Sequence, residues 1–228
     1  MILTTPGFDT VARFNELPGL WESNEAKNKR VTEETFKTLG ELFVNYHVEN
    51  VFGLTLLHIH FLLEKGEILL ETGSLSDNQQ KVISQPVKVD DLVSSVQGSN
   101  WRITPDNLYV PYEFRLENEN KKVDFSSSEI QSFLNVFSRK LNELNLTDIF
   151  GICTIEKDNS LPGIENTEGR KNITVPLTDS VKPGDQIEAV WNFVPGLDNE
   201  GKKLVTRGCS RSCYSTLQGD HNAYHTRS

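Results

Sequence analysis

Gly53-Leu-Thr-Leu-Leu-His-Ile-His-Phe-Leu-Leu63 is the longest apolar run in the chain and holds two of its five histidines, His58 and His60. In an extended strand alternate side chains take opposite faces. Leu54, Leu56, His58, His60 and Leu62 therefore share one side, and Thr55, Leu57, Ile59, Phe61 and Leu63 the other. Both sides are mostly apolar, the pattern of a strand buried on two faces. The two imidazoles then stand about 7 Å apart at their Cα atoms, on one face of a core strand. One buried histidine is usually a satisfied core residue. Two on one face need several hydrogen-bond partners, whereas a single metal ion accommodates both.

Working outward, Thr32 caps a helix over residues 33 to 47, with Glu33 and Glu34 in its first turn and Phe36, Leu39, Leu42, Phe43 and Tyr46 as its apolar stripe. His47 falls at the end of that helix, where the dipole suffices to explain it. Ser126-x-x-Glu129 matches a capping box, followed by a second stripe of Ile130, Phe133, Leu134, Phe137, Leu141 and Leu144. Strands are predicted at Ile68–Thr72, joined to the histidine strand as a hairpin through Gly66, and at Leu108–Leu116, where Pro111 argues for an edge. Further strands fall at Ile149–Ile155, Asn172–Leu177, Gln186–Val194 and Lys203–Thr206. Lys157 to Lys171, carrying Glu165, Glu168 and Arg170, reads as a long polar lid or binding loop. Two helices and several strands without a βαβ rhythm give an α+β fold with a largely antiparallel sheet. The expected organisation is a single domain over 1–228, with residues 1–30 as an irregular arm and 201–228 as a basic Cys/His-bearing tail packed on it.

The formal net charge is −9. From Gly201 onward five basic residues (Lys202, Lys203, Arg207, Arg211 and Arg227) face only Asp220, so the tail is +4 and the remainder −13. An acidic body argues against general nucleic-acid binding and against anionic membranes. With no secretory pattern at the N-terminus, an apolar run too short to span a bilayer, and three cysteines, the expected setting is the reducing cytoplasm.

The tail carries Cys209-x3-Cys213-x7-His221-x3-His225, two close ligand pairs of the Cys2His2 type. Thiolates and imidazoles suit zinc, and Arg207 and Arg211 favour the thiolates. Only seven residues separate the pairs, too few for a ββα finger, which places about twelve there. Cys209 and Cys213 as free thiols, with His221 and His225 on a frayed terminus, is the plainer alternative. For His58 and His60 a carboxylate from Glu64, Glu67 or Glu113 would complete a two-histidine, one-carboxylate set of the non-haem iron kind.

His58-x-His60 with Glu64 beyond it resembles the first half of a cupin metal motif, and that resemblance implies iron, manganese or zinc held by two histidines and a glutamate. The Leu-Leu-His-x-His-Phe stretch, the Pro-Tyr-Glu-Phe segment at 111–114 and the C-terminal Cys/Cys/His/His cluster also resemble a group of uncharacterised fungal proteins, which implies no activity. Taken together, the sequence predicts a metal-binding protein with zinc, or alternatively iron, at His58, His60, Cys209, Cys213, His221 and His225. Two roles fit it: a metal-dependent enzyme acting on a small molecule through His58 and His60, or a non-catalytic interaction module with a structural zinc clamp in its tail.

Overall fold

A computed structural model describes residues 2–7, 9–75, 80–117, 123–155, 162–178, 186–197, 201 and 203–214. Three helices come first: α1 (Thr10–Asn15), α2 (Leu20–Arg30) and α3 (Glu33–Asn45). The strands β1 (Phe52–Leu56), β2 (Glu67–Ser74), β3 (Lys81–Lys88), β4 (Val96–Ile103) and β5 (Tyr109–Leu116) precede helix α4 (Ser128–Glu143). After it come β6 (Phe150–Thr154), β7 (Gly163–Thr167), β8 (Asn172–Pro176), β9 (Gln186–Leu197) and β10 (Lys203–Tyr214).

These strands close on themselves in the order β1-β6-β4-β5-β2-β3-β8-β7-β10-β9, a ten-stranded barrel. The expected α+β fold with two main helices is therefore wrong: the chain is a closed barrel with four α-helices among the described residues, although most of its strand pairs are antiparallel as expected. Closure gives every strand two neighbours and abolishes the edges an open sheet would have to protect. Eight of the neighbouring pairs are antiparallel, and β2 with β5 and β7 with β10 are parallel. Pro111 is consistent with closure because it lies ahead of Glu113–Arg115, the only stretch of β5 that pairs with β2.

The two-sided burial read from the quoted run holds for Phe52–Leu56, every residue of which is buried. Phe52, Leu54 and Leu56 belong to the core that helices α3 and α4 complete on the outside of the barrel. Gly53 sits between two strands, where a Cβ would stand 2.9 Å from the Trp191 carbonyl oxygen. Both amphipathic helices form as predicted. Thr32 Oγ1 accepts from Thr35 N at 3.2 Å, and Ser127, one residue later than expected, caps α4 by accepting from Ile130 N at 3.3 Å. Their stripes meet in an aromatic cluster, with Phe43 and Phe133 4.9 Å apart and Phe133 stacked on Phe52 at 5.9 Å. Within α3 the Phe193 ring presses against Gly40 and leaves no room for a side chain.

Past Leu56 the chain departs from a strand. Residues 57–63 cross one end of the barrel, and no hairpin joins β1 to β2, which pairs with β3 and β5 instead. The segment is fastened by what was expected to be an irregular arm and is largely helical. Ile59 N donates to Pro18 O at 2.9 Å, Asn15 exchanges hydrogen bonds with both backbone groups of Leu63 at 2.8 and 2.9 Å, and Ser23 Oγ donates to Leu57 O. Phe14, Leu17, Leu57, Phe61, Leu63, Leu69 and Tyr112 form a second core beneath it. The start of the tail is not an appendage either: Lys203–Tyr214 is a barrel strand paired along its length with β9. Among the described residues no helix is long and apolar enough to cross a membrane.

Candidate metal centre

Irregular backbone after β1 turns His58 and His60 toward each other, with ring centroids 4.8 Å apart and nearly perpendicular. Their Nε2 atoms are 3.1 Å apart. His58 Nδ1 lies 2.8 Å from Leu56 O, an arrangement that keeps the proton on Nδ1 and frees Nε2 as a ligand.

Opposite them the parallel pairing of β10 with β7 sets Cys213 directly beside Glu165, both facing the barrel interior. Cys213 Sγ lies 3.5 Å from His58 Nε2, 3.7 Å from His60 Nε2 and 3.6 Å from Glu165 Oε1, while His60 Nε2 lies 2.8 Å from that carboxylate oxygen. One ligand atom from each of the four lies within 4.8 Å of the other three, and the group could hold a metal ion. It is deeply enclosed: the side chains of His60 and Glu165 are 3 % and 6 % exposed. The void beside it is about 20 Å³, room for about one water-sized sphere.

Three of the six expected tail and strand ligands thus converge: His58, His60 and Cys213. Cys209 does not join them. A bulge around Ser210 shifts the register of β10, so Cys209 pairs with Trp191 and its Sγ meets Ser212 Oγ at 3.3 Å on the side of the strand away from Cys213. Among the described residues Cys209 belongs to no group of three or more such donors. His221 and His225 lie outside the described residues.

The carboxylate comes from none of Glu64, Glu67 and Glu113 but from Glu165. Glu64 is 71 % exposed, near Lys88 and Arg170, and Glu67 is bound by the Arg170 guanidinium. Glu165, expected in a long polar loop, occupies the middle of β7. The missed signal was the turn at Glu168-Gly169-Arg170, where Glu168 N donates to Lys171 O at 2.8 Å and Gly169 takes a φ of 59°, making β7 and β8 a hairpin.

Burial pushes the Glu165 carboxyl up, but the His60 hydrogen bond and the charges of His60, Arg211 and His58 outweigh it and hold the group at about 2. Burial and the neighbouring Glu165 push the Cys213 thiol well above its usual range. A bound cation reverses that balance, since a coordinating thiol is deprotonated outright.

Arg211 Nη2 pairs with Glu71 Oε2 at 3.2 Å, and the same guanidinium faces Glu165 and Glu113. Burial, with the charges of Glu71 and Glu165, pushes the Glu113 carboxyl up to about 8, so it is a neutral acid at pH 7; Asn100 Nδ2 donates to it. Between about 4.5 and about 8 the folded chain therefore holds a proton that the unfolded chain has lost, and stability falls as pH rises through that window. Glu113→Gln is expected to abolish this slope, so that the variant gains on the parent as pH rises. Urea midpoints across the window at constant metal check it.

Comparison with protein-family models, curated proteins and solved structures returns no match.

Proposed function

We propose that this chain is a zinc-binding β-barrel in which His58 Nε2, His60 Nε2, Glu165 Oε1 and Cys213 Sγ bind one ion tetrahedrally. The observation that carries the reading is the set of donor separations. Zinc bonds of about 2.0–2.1 Å to nitrogen or oxygen and about 2.3 Å to sulfur give tetrahedron edges of about 3.3 Å, and about 3.6 Å where sulfur is involved. Five of the six edges are close to these values: the three sulfur edges are 3.5, 3.6 and 3.7 Å and two nitrogen and oxygen edges, 3.1 and 2.8 Å, are slightly contracted, while the sixth, between His58 and Glu165, is bounded by 4.8 Å. A metal-free chain of hydrogen bonds through His58, His60 and Glu165 accounts for the short edges. The Cys213 thiol joins that network as a weak donor to Glu165; what an ion adds is one centre shared by all four donors.

Four protein donors around a void of one water leave no position for a substrate, which is the character of a structural site. The ion ties the segment after β1 to β7 and β10, closing one end of the barrel. Arg211, Asn100 and Val190 line both this site and a larger cavity behind it, and that adjacency favours the second reading, a metal-dependent enzyme acting on a small molecule. In it Glu165 leaves the ion to admit a substrate.

Metal analysis of protein purified without added metal tests the proposal. Close to one zinc per chain is expected, lost in the His58→Ala, His60→Ala double variant; metal content near zero in the parent, or unchanged in the variant, would contradict it. Turnover that rises when Glu165→Ala opens the coordination sphere would favour the enzyme.

A further inference from the structure

The other end of the barrel encloses a cavity of about 360 Å³, within the size range of small-molecule sites. Among the described residues, five buried side-chain polar atoms lack a hydrogen-bond partner. Three of the five, Arg115 Nε, Ser99 Oγ and Glu49 Oε2, belong to residues that line this cavity, Glu49 standing where it borders a second pocket beside residues 195–197. Ser99 is only 3 % exposed. A buried polar group left unpaired gives up its solvation for nothing, so three around one space point to an occupant that satisfies them.

Their chemistry says what kind. Four formal charges line the cavity, two of each sign, and Arg211 already pairs with Glu71 at 3.2 Å. That leaves a guanidinium with an unmet donor, a hydroxyl beside it in kind, and a carboxylate with an unmet acceptor. An anion alone would satisfy Arg115 and leave Glu49 facing like charge; a cation alone would do the reverse. Leu75, Val82 and Ile155 supply an apolar wall.

We infer that the barrel binds a small zwitterion of amino-acid or dipeptide size with an apolar side chain. Its carboxylate meets Arg115 and Ser99, and its ammonium meets Glu49. The inference rests on the cavity and its orphan atoms and stands whether or not the ion behind Arg211 is zinc.

Calorimetric titration of the protein as purified, with its metal content recorded, tests it, using L-leucine, L-phenylalanine and leucyl-leucine as probes. The matched controls are 4-methylvalerate, which lacks the amine, and isoamylamine, which lacks the carboxylate. At least one zwitterion is expected to bind saturably, with each control weaker by roughly tenfold or more, the loss typical of a charge-assisted hydrogen bond. Arg115→Gln should remove the discrimination against isoamylamine, and Glu49→Gln that against 4-methylvalerate. No saturable binding of any of the three at millimolar concentration, or controls that bind the parent protein as tightly as the zwitterions, would overturn it. The comparison among ligands on the parent protein does not depend on either variant folding.

Discussion

Replacing His60 with alanine is expected to abolish the proposed metal binding and to cost several kcal/mol of stability at once. His60 Nε2 is 2.8 Å from Glu165, 3.1 Å from His58 and 3.7 Å from Cys213, so it meets every other donor of the group. Without it three donors remain, and the Glu165 carboxylate, whose side chain is 6 % exposed, loses its closest partner. Leaving a buried carboxylate without the hydrogen bond it accepted typically costs about 1–3 kcal/mol, beyond the loss of the metal. His58→Ala makes the informative contrast. His58 is less buried, and its removal takes one ligand while leaving the His60–Glu165 pair intact. Its zinc affinity should fall in the same way with a smaller loss in metal-free protein. Urea denaturation with and without chelator separates the two terms: the parent is expected to be strongly chelator-sensitive, His60→Ala insensitive and also weaker in chelator than the parent, and His58→Ala insensitive with nearly parental stability in chelator. A His60→Ala protein that is still stabilised by zinc to the parental extent would remove His60 from the site.

Arg211→Met is expected to be the second large effect. The Arg211 side chain, 23 % exposed, is the cation that Glu71 contacts at 3.2 Å and that Glu165 and Glu113 face. Glu113 is already neutral at pH 7, so the damage falls on Glu71 and Glu165. Because the group lines a cavity rather than sitting in dry core, the lower end of the cost of breaking a buried ion pair applies, roughly 3 kcal/mol. If the loss comes from stranding the Glu71 charge, adding Glu71→Gln should recover a large part of it, a coupling that a double-mutant cycle of urea midpoints reads directly. Strictly additive losses would mean that Arg211 acts through packing and not through charge.

The helices were legible because each carries its own stripe and cap, Thr32 before α3 and the serines before α4, which tertiary context had no reason to override. The barrel was not, since alternation within a strand says which faces are buried but nothing about whether the first and last strands meet. Strand Gly53–Leu63 shows the limit within one run: two-sided burial is correct to Leu56, after which the same apolar pattern serves a crossing segment that α1 and α2 pin in place. His58, His60 and Cys213 were chosen as ligands on chemistry and spacing, and spacing is a local property. It could not reveal that a bulge at Ser210 parts Cys209 from Cys213, or that β7 brings Glu165 across from a distant stretch of chain.

X-ray absorption at the zinc edge of the metal-loaded protein reads the donor set itself. Four-coordinate zinc is expected, with one sulfur at about 2.3 Å and three nitrogen or oxygen donors at about 2.0–2.1 Å, the sulfur lost in Cys213→Ser. Two sulfurs would put the ion in the Cys209/Cys213 clamp of the tail, and a shell with no sulfur would show that His58, His60, Glu165 and Cys213 do not share it.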